Sequence, residues 1–221
     1  MKLMKQNNFE SIIKKYTEWG NPEFRYTSFD YCYNYFCSDK DLTDDIEKSC
    51  FELAFYLASW GMYRGSSFLL QKSAKYFVKT IEYINSLEND LWKIDVDKYN
   101  DTNIDKLIEI YHKLSELIIK EDSRSLTLIT KIMLGVFGFV PAFDDYFCKT
   151  FRKITKGKCG FRSFNRTSLN IIKDFYDYNS VSINKLSNEL FTYDFLTGKK
   201  TNIKYPKAKI VDMFGFSYSI S

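Results

Sequence analysis

A chain of 221 residues with 45% apolar and 18% aromatic side chains can bury one sizeable core and still leave Tyr and Phe for a surface or pocket. Its 32 bases against 28 acids give a net charge of only +4, too little to mark a polyanion-binding protein by itself. Three prolines and nine glycines leave long unpunctuated stretches, which argues against a many-turned β protein and for helices.

In chain order, Asn8 caps a short helix with Phe9, Ile12, Ile13 and Tyr16 on one face, closed by Gly20-Asn21-Pro22. Phe24–Phe36 is an aromatic tract whose partial alternation fits either a short strand or irregular structure. Thr43 caps the next helix, with Asp44, Asp45 and Glu47 near its N-terminus and Ile46, Cys50, Leu53, Ala54 and Leu57 at helical spacing. That helix runs into Ser59–Ser67, where Gly61 and Gly65 strip side chains from one face. A second helix spans Ser66–Leu87. The acidic connection Glu88–Asn103 is the place where two lobes would meet.

Asn103 caps a helix with the stripe Ile104, Leu107, Ile108, Tyr111, Leu114 and Ile118. Ser123 or Ser125 opens an apolar helix that stops at Gly135 or Gly138. Asp144 or Asp145 is placed to cap a helix over Tyr146–Lys153. Ser168–Tyr178 and Ser182–Phe191 read as two further helices, and the tail from Thr197 as a polar turn, an extended piece and a short ending. The expectation is an all-α protein of about seven or eight helices, a single domain over residues 1–221 with no internal repeat.

Several chemistries are disfavoured. Cys32, Cys37, Cys50, Cys148 and Cys159 are odd in number and irregularly spaced, which suits reduced thiols in a cytoplasmic protein and neither a disulfide framework nor a zinc pattern. The N-terminal MKLMKQNNFE has no apolar signal region, and the best membrane candidate, Leu126–Val140, is too short and carries Lys131. The lone histidine, His112, falls with Asp105, Glu109 and Glu116 on a polar helix side, which removes His-based triads and His-rich metal sites. Without a Walker loop, GxGxxG or CxxC, neither cofactor nor metal is expected.

Charge is segregated along the chain. Between Glu82 and Asp122 acids outnumber bases, whereas Tyr146–Lys173 holds Lys149, Arg152, Lys153, Lys156, Lys158, Arg162, Arg166 and Lys173 without one acid. A one-signed block of this kind is the footprint of phosphate binding, and its plainer role is a solvated loop.

The strongest chemical signal is Thr130–Phe147, TKIMLGVFGFVPAFDDYF, where an apolar helix gives way to Val140-Pro141 and then to Asp144 and Asp145 beside Phe143. A carboxylate fixed directly after a rigid proline step against apolar residues is prepared for acid/base work or for stabilising a cation. The competing role is helix capping. Lys131 sits in the apolar helix thirteen residues earlier. It either snorkels to water or is a buried nucleophile and partner of Asp144. In Ser59–Ser67, Trp60 and Tyr63 suit stacking on a base and Arg64 suits a phosphate; tight helix packing is the alternative. Arg162, Asn165, Arg166 and Thr167 form either a phosphate cradle or an ordinary cap.

The run Thr130-Lys131, apolar turns, then Val140-Pro141-Ala142-Phe143-Asp144 resembles the catalytic region of the helix-hairpin-helix base-excision DNA glycosylases. In that superfamily a Val-Pro-type step presents an essential aspartate at the mouth of a base-flipping pocket, here Asp144. The resemblance implies a two-lobed all-α fold and cleavage of an N-glycosidic bond after base flipping. The superfamily's glycine-rich hairpin has no counterpart in residues 121–128, and Lys131 is not securely at the lysine position of its bifunctional members. Ser59–Ser67 and the Asp-rich proline step are also similar to a set of uncharacterised bacterial proteins, a likeness that implies no activity. The expected function is excision of a damaged or modified DNA base, in repair or in defence against phage. Its rivals are a non-catalytic nucleic-acid-binding module and a helical protein-interaction domain.

Overall fold

The computed structural model describes residues 9–13, 21–38, 40–119 and 126–220. Helix accounts for 67% of the chain and strand for 4%, so the protein is all-α. Its helices are α1 (Ser28–Phe36), α2 (Ile46–Ser59), α3 (Val78–Asn85), α4 (Asp101–Ile118), α5 (Leu126–Phe137), α6 (Asp145–Ile154), α7 (Arg166–Glu189) and α8 (Lys207–Ile220). One antiparallel hairpin, β1 (Phe191–Tyr193) and β2 (Lys200–Lys204), joins α7 to α8. Residues 9–13 are also helical, with Phe9, Ile12 and Ile13 buried, while Asn8, Tyr16 and Gly20 lie outside the described residues.

The core is built around α5, in which every residue from Leu128 to Phe137 is buried. Such a helix has no polar face because neighbours cover it all round, here α1, α2 and α4. Gly135 lets α2 come this close: a Cβ there would sit 2.3 Å from the Tyr56 ring. A second layer packs α6 against α8 and α8 against α7.

Several elements differ from the sequence reading. The aromatic tract forms a 3-10 turn (Arg25–Thr27) and α1, since Phe29, Cys32, Tyr33 and Phe36 make a helical stripe against the core. Asp45, not Thr43, caps α2 by accepting from Lys48 N at 3.0 Å, and Asn100, not Asn103, caps α4 by accepting from Asn103 N at 2.8 Å. The helix expected over Ser66–Leu87 is broken by extended backbone at Lys72 and Ser73 into two 3-10 turns and α3. Gly61 and Gly65 do not thin a helix face; they take φ of +76° and +60° in the turn that ends α2.

The connection 88–103 is no bare loop. Its 3-10 turns bury Leu91 and Val96, Tyr99 is buried just after them, and the Trp92 Nε1–H donates to Val136 O at 3.0 Å. The two helices expected around Ser182 are one, α7, started by a reciprocal Asn165–Ser168 capping box. The supposed short ending is the fourteen-residue α8. Its N-terminus is capped from far away: Asp95 accepts from Lys207 N at 2.7 Å and from Ala208 N at 2.8 Å. A cap supplied by a residue more than a hundred positions earlier leaves no local signature.

No described helix is long and apolar enough to cross a membrane, and the five cysteines are all free.

Candidate functional site

Gly138 closes α5 at φ +70°, where a Cβ would press within 2.5 Å of Pro206 and 2.8 Å of Tyr33. Residues Phe139–Phe143 then cross the interior as a buried loop. Buried loop backbone must find partners, and here side chains supply them. The Tyr99 hydroxyl donates to Phe139 O at 2.6 Å. Asp212 Oδ1 accepts from Ala142 N at 3.1 Å. Thr130 Oγ1 accepts from Phe143 N at 2.9 Å, and Thr127 Oγ1 donates to Phe143 O at 2.9 Å. The backbone leading to Asp144 is thus clasped from α5, α8 and the segment before α4.

Asp144 is the N-cap of α6: its Oδ1 accepts from Phe147 N at 3.0 Å. Its Oδ2 accepts from Lys131 Nζ at 3.1 Å, and the two side chains are 18% and 5% exposed. Lys131 therefore does not snorkel to water. Its ammonium stays inside, 4.9 Å from the Trp60 ring centroid, because carboxylate and indole together replace hydration.

A second pair lies alongside. Lys209 and Asp212 on α8 meet at 3.0 Å with side chains 1% and 10% exposed. The Lys209 ammonium is 4.8 Å from the same Trp60 ring and 4.7 Å from that of Phe29. Two lysines and two aspartates thus form an electroneutral buried cluster around one indole. Asp30, fully buried nearby, is the odd charge. Burial pushes its carboxyl up from 3.8 to about 7, and this outweighs the donated bonds from Tyr205 Oη and Tyr193 N and the attraction of Lys209.

Sequence reasoning missed Lys209 and Asp212. A signal was present: opposite charges at i and i+3 inside the apolar run Ala208–Phe214. Around the Trp60 edge stand Tyr26, with ring centroids 5.5 Å apart, and Phe216, which meets both Tyr26 at 5.8 Å and Tyr146 at 5.0 Å. The Trp60 Nε1–H and the Tyr63 hydroxyl are buried and meet no acceptor among the described residues. Burial also pushes the Tyr63 hydroxyl up, so it stays a donor. Arg64 is exposed, its guanidinium end folded back over Gly61.

Asp144 and Asp145 do not face the same surroundings. Asp145, in the first turn of α6, is exposed and lines a cavity of about 900 Å³ that Phe143, Arg152 and Arg162 also line. Of the basic block, Lys149, Arg152, Lys153, Lys156, Lys158 and Arg162 are exposed. Arg166 is not available in the same way, since its guanidinium bridges Asp101 and Asp105 of α4. Asn165 spends its side chain on the α7 cap, so residues 165–167 form an ordinary helix start, while Arg162 stays exposed beside the cavity. His112 is exposed, as its polar setting implied. Among the described residues no group of three or more His, Cys, Asp or Glu side chains is placed to hold a metal ion.

No family model, curated protein or solved structure matches the chain.

Proposed function

We propose that the protein is a DNA-binding base-excision enzyme that cleaves the N-glycosidic bond of a damaged or modified base, with Asp144 as the charge-stabilising carboxylate. The observation that carries this reading is the Asp144–Lys131 pair on the Trp60 ring, held by a loop whose backbone polar groups are clasped by side chains. A carboxylate so fixed costs little reorganisation when positive charge develops beside it. Each oxygen accepts one bond in the structure and keeps lone-pair capacity for an approaching sugar or water.

In the proposed step the bond from C1′ to the base nitrogen breaks and its electron pair leaves with the base. Asp144 stabilises the oxocarbenium-like sugar, water adds to C1′, and a proton from that water balances the departing base. Trp60 offers a ring edge and an N–H, and Tyr63 a hydroxyl, as donors to the extruded base. These are two buried donors for which the described protein supplies no acceptor. Lys131 orients Asp144 by donating to its Oδ2, and it is also the amine that would attack C1′ if strand cleavage followed. The exposed bases Lys149–Arg162 supply phosphate contacts.

The test is base release. Purified protein and Asp144→Asn are incubated with duplex and single-stranded DNAs carrying damaged and phage-type modified bases, and free base and abasic sites are read by mass spectrometry. Asn still caps a helix but leaves the buried Lys131 ammonium without a counter-charge, so a thermal melt of the variant accompanies the assay. Release by the wild type alone supports the proposal. DNA binding without release from any substrate sinks it in favour of a binding module, the reading that the Asp144 N-cap bond to Phe147 favours. Absence of salt-dependent DNA binding leaves a protein-interaction domain.

A further inference from the structure

The cavity on the Asp145 side is chemically unlike the Trp60 cluster. At about 900 Å³ it lies within the range of small-molecule sites. Its wall is aromatic: Phe143 and Phe164 are 5.6 Å apart, and Tyr111 stacks on Phe164 at 4.8 Å. Its rim is charged. Arg152 and Arg162 are exposed, and neither forms an ion pair among the described residues. The Arg152 Nε–H donates to Cys148 O at 3.1 Å, which orients the guanidinium while four of its five N–H donors remain. The Asp145 carboxylate accepts no side-chain hydrogen bond among the described residues.

The wall is also held at a conformational cost. Phe161 adopts φ +49°, a left-handed backbone that a bulky residue avoids. Its ring is buried, its carbonyl accepts from the Cys148 thiol at 3.4 Å, and its N–H points to Cys159 Sγ at 3.4 Å. This bend directs the chain from Gly160 into Arg162. The thiol takes no part in chemistry: burial pushes Cys148 up to about 12, so it stays protonated.

We propose that this cavity binds one unpaired nucleotide, its base against the Tyr111–Phe164 wall, its phosphate on Arg152 and Arg162, and an exocyclic amine of the base on Asp145. Aromatic faces hold any base, guanidinium forks match phosphate oxygens, and a carboxylate accepts from the exocyclic amino group of cytosine or adenine, a group that thymine lacks. The inference rests on the nucleic-acid reading above and does not require base excision. The shared ligand chemistry is a base joined to a phosphate, supplied by a free mononucleotide or by a nucleotide within a single strand.

The full chain is titrated with dCMP, with dTMP, with inorganic phosphate and with short single-stranded oligonucleotides. Amide shifts of Phe161, Arg162 and Phe164 are followed by NMR, and affinity by calorimetry. Wild type and Asp144→Asn bind dCMP alike. The Arg152→Ala/Arg162→Ala double variant binds about tenfold or more weakly, the loss expected for charge-assisted contacts. Asp145→Asn removes the preference for dCMP over dTMP. Both arginines and Asp145 are exposed, so a thermal melt separates misfolding from lost contacts. Binding of dCMP itself identifies a free-nucleotide site, and binding only of oligonucleotides identifies a strand site. Unmoved amides with every ligand, arginine variants that bind as wild type, or inorganic phosphate binding as tightly as dCMP overturns the proposal. Pocket binding without base release overturns excision alone, and base release with an unresponsive pocket overturns the pocket alone.

Discussion

Asp144 and Asp145 are chain neighbours with opposite surroundings. Asp144 is drawn toward Lys131 and the Trp60 cluster, where charges are buried in pairs and side chains clasp the approaching loop at Phe139, Ala142 and Phe143. Asp145 stands exposed on a cavity rim with guanidinium groups that form no ion pair among the described residues. On the first side charge is a structural commitment, because a buried ion left alone costs several kcal/mol. On the second side charge is solvated, carries little stability and is available to a ligand. The difference teaches that a sequence motif of paired carboxylates need not be one site.

The largest effect that separates the two sides is expected at Asp212. Asp212→Ala takes the carboxylate from the buried Lys209 ammonium and from Ala142 N, and should cost about 3–5 kcal/mol in urea unfolding. The double variant Lys209→Met/Asp212→Leu should recover part of that loss, since an apolar pair needs no desolvation. A double variant as unstable as the single one would show that the Ala142 clasp, and not the stranded charge, dominates. Lys131→Met comes next, at about 1–3 kcal/mol, because Asp144 keeps its cap bond and partial exposure while losing a charge-assisted partner. In the base-release assay this variant should fall with Asp144→Asn. Full activity without Lys131 would reduce the lysine to a structural partner.

A pH series sharpens the buried side further. The Asp30 carboxyl is raised in the folded protein from 3.8 to about 7 by burial. A raised carboxyl binds its proton more tightly when folded, so its stabilising contribution is full below about pH 4 and is lost as pH climbs toward 7. Wild type should therefore lose stability relative to Asp30→Asn over that window, and the Tyr205 hydroxyl can turn to accept from the new amide. Parallel pH curves for the two proteins would place Asp30 outside the coupled cluster. The smallest effect is expected at Asp145→Asn, which should leave the unfolding midpoint unchanged while altering nucleotide preference.

Much of this was legible locally. The stripe of α4, the apolar character of α5, the break at Gly138 and the cap at the start of α6 follow from periodicity, conformational freedom and hydrogen-bond chemistry carried by adjacent residues. The cap positions at Asp45 and Asn100 were missed locally, but the larger misreadings trace to packing against distant parts of the chain. The partial alternation of Phe24–Phe36 left a short strand and irregular structure open, and the core selected a helical stripe instead. Lys131 stood between snorkelling and pairing with Asp144 because its carboxylate lies beyond the helix, and α8 was read as a short ending because Asp95 caps it from another segment. Arg166 counted as a free base until α4 brought Asp101 and Asp105 beside it.

The sequence alone determined an all-α chain and singled out the proline step with its aspartates, because propensity, period and capping act over a few residues. Only the tertiary structure decided which charges are buried in pairs, which stand free on a cavity rim, and that Trp60 gathers two lysines from distant helices. Desolvation and ion pairing depend on what surrounds a group in space, and that neighbourhood is assembled from segments as far apart in the chain as Phe29 and Lys209.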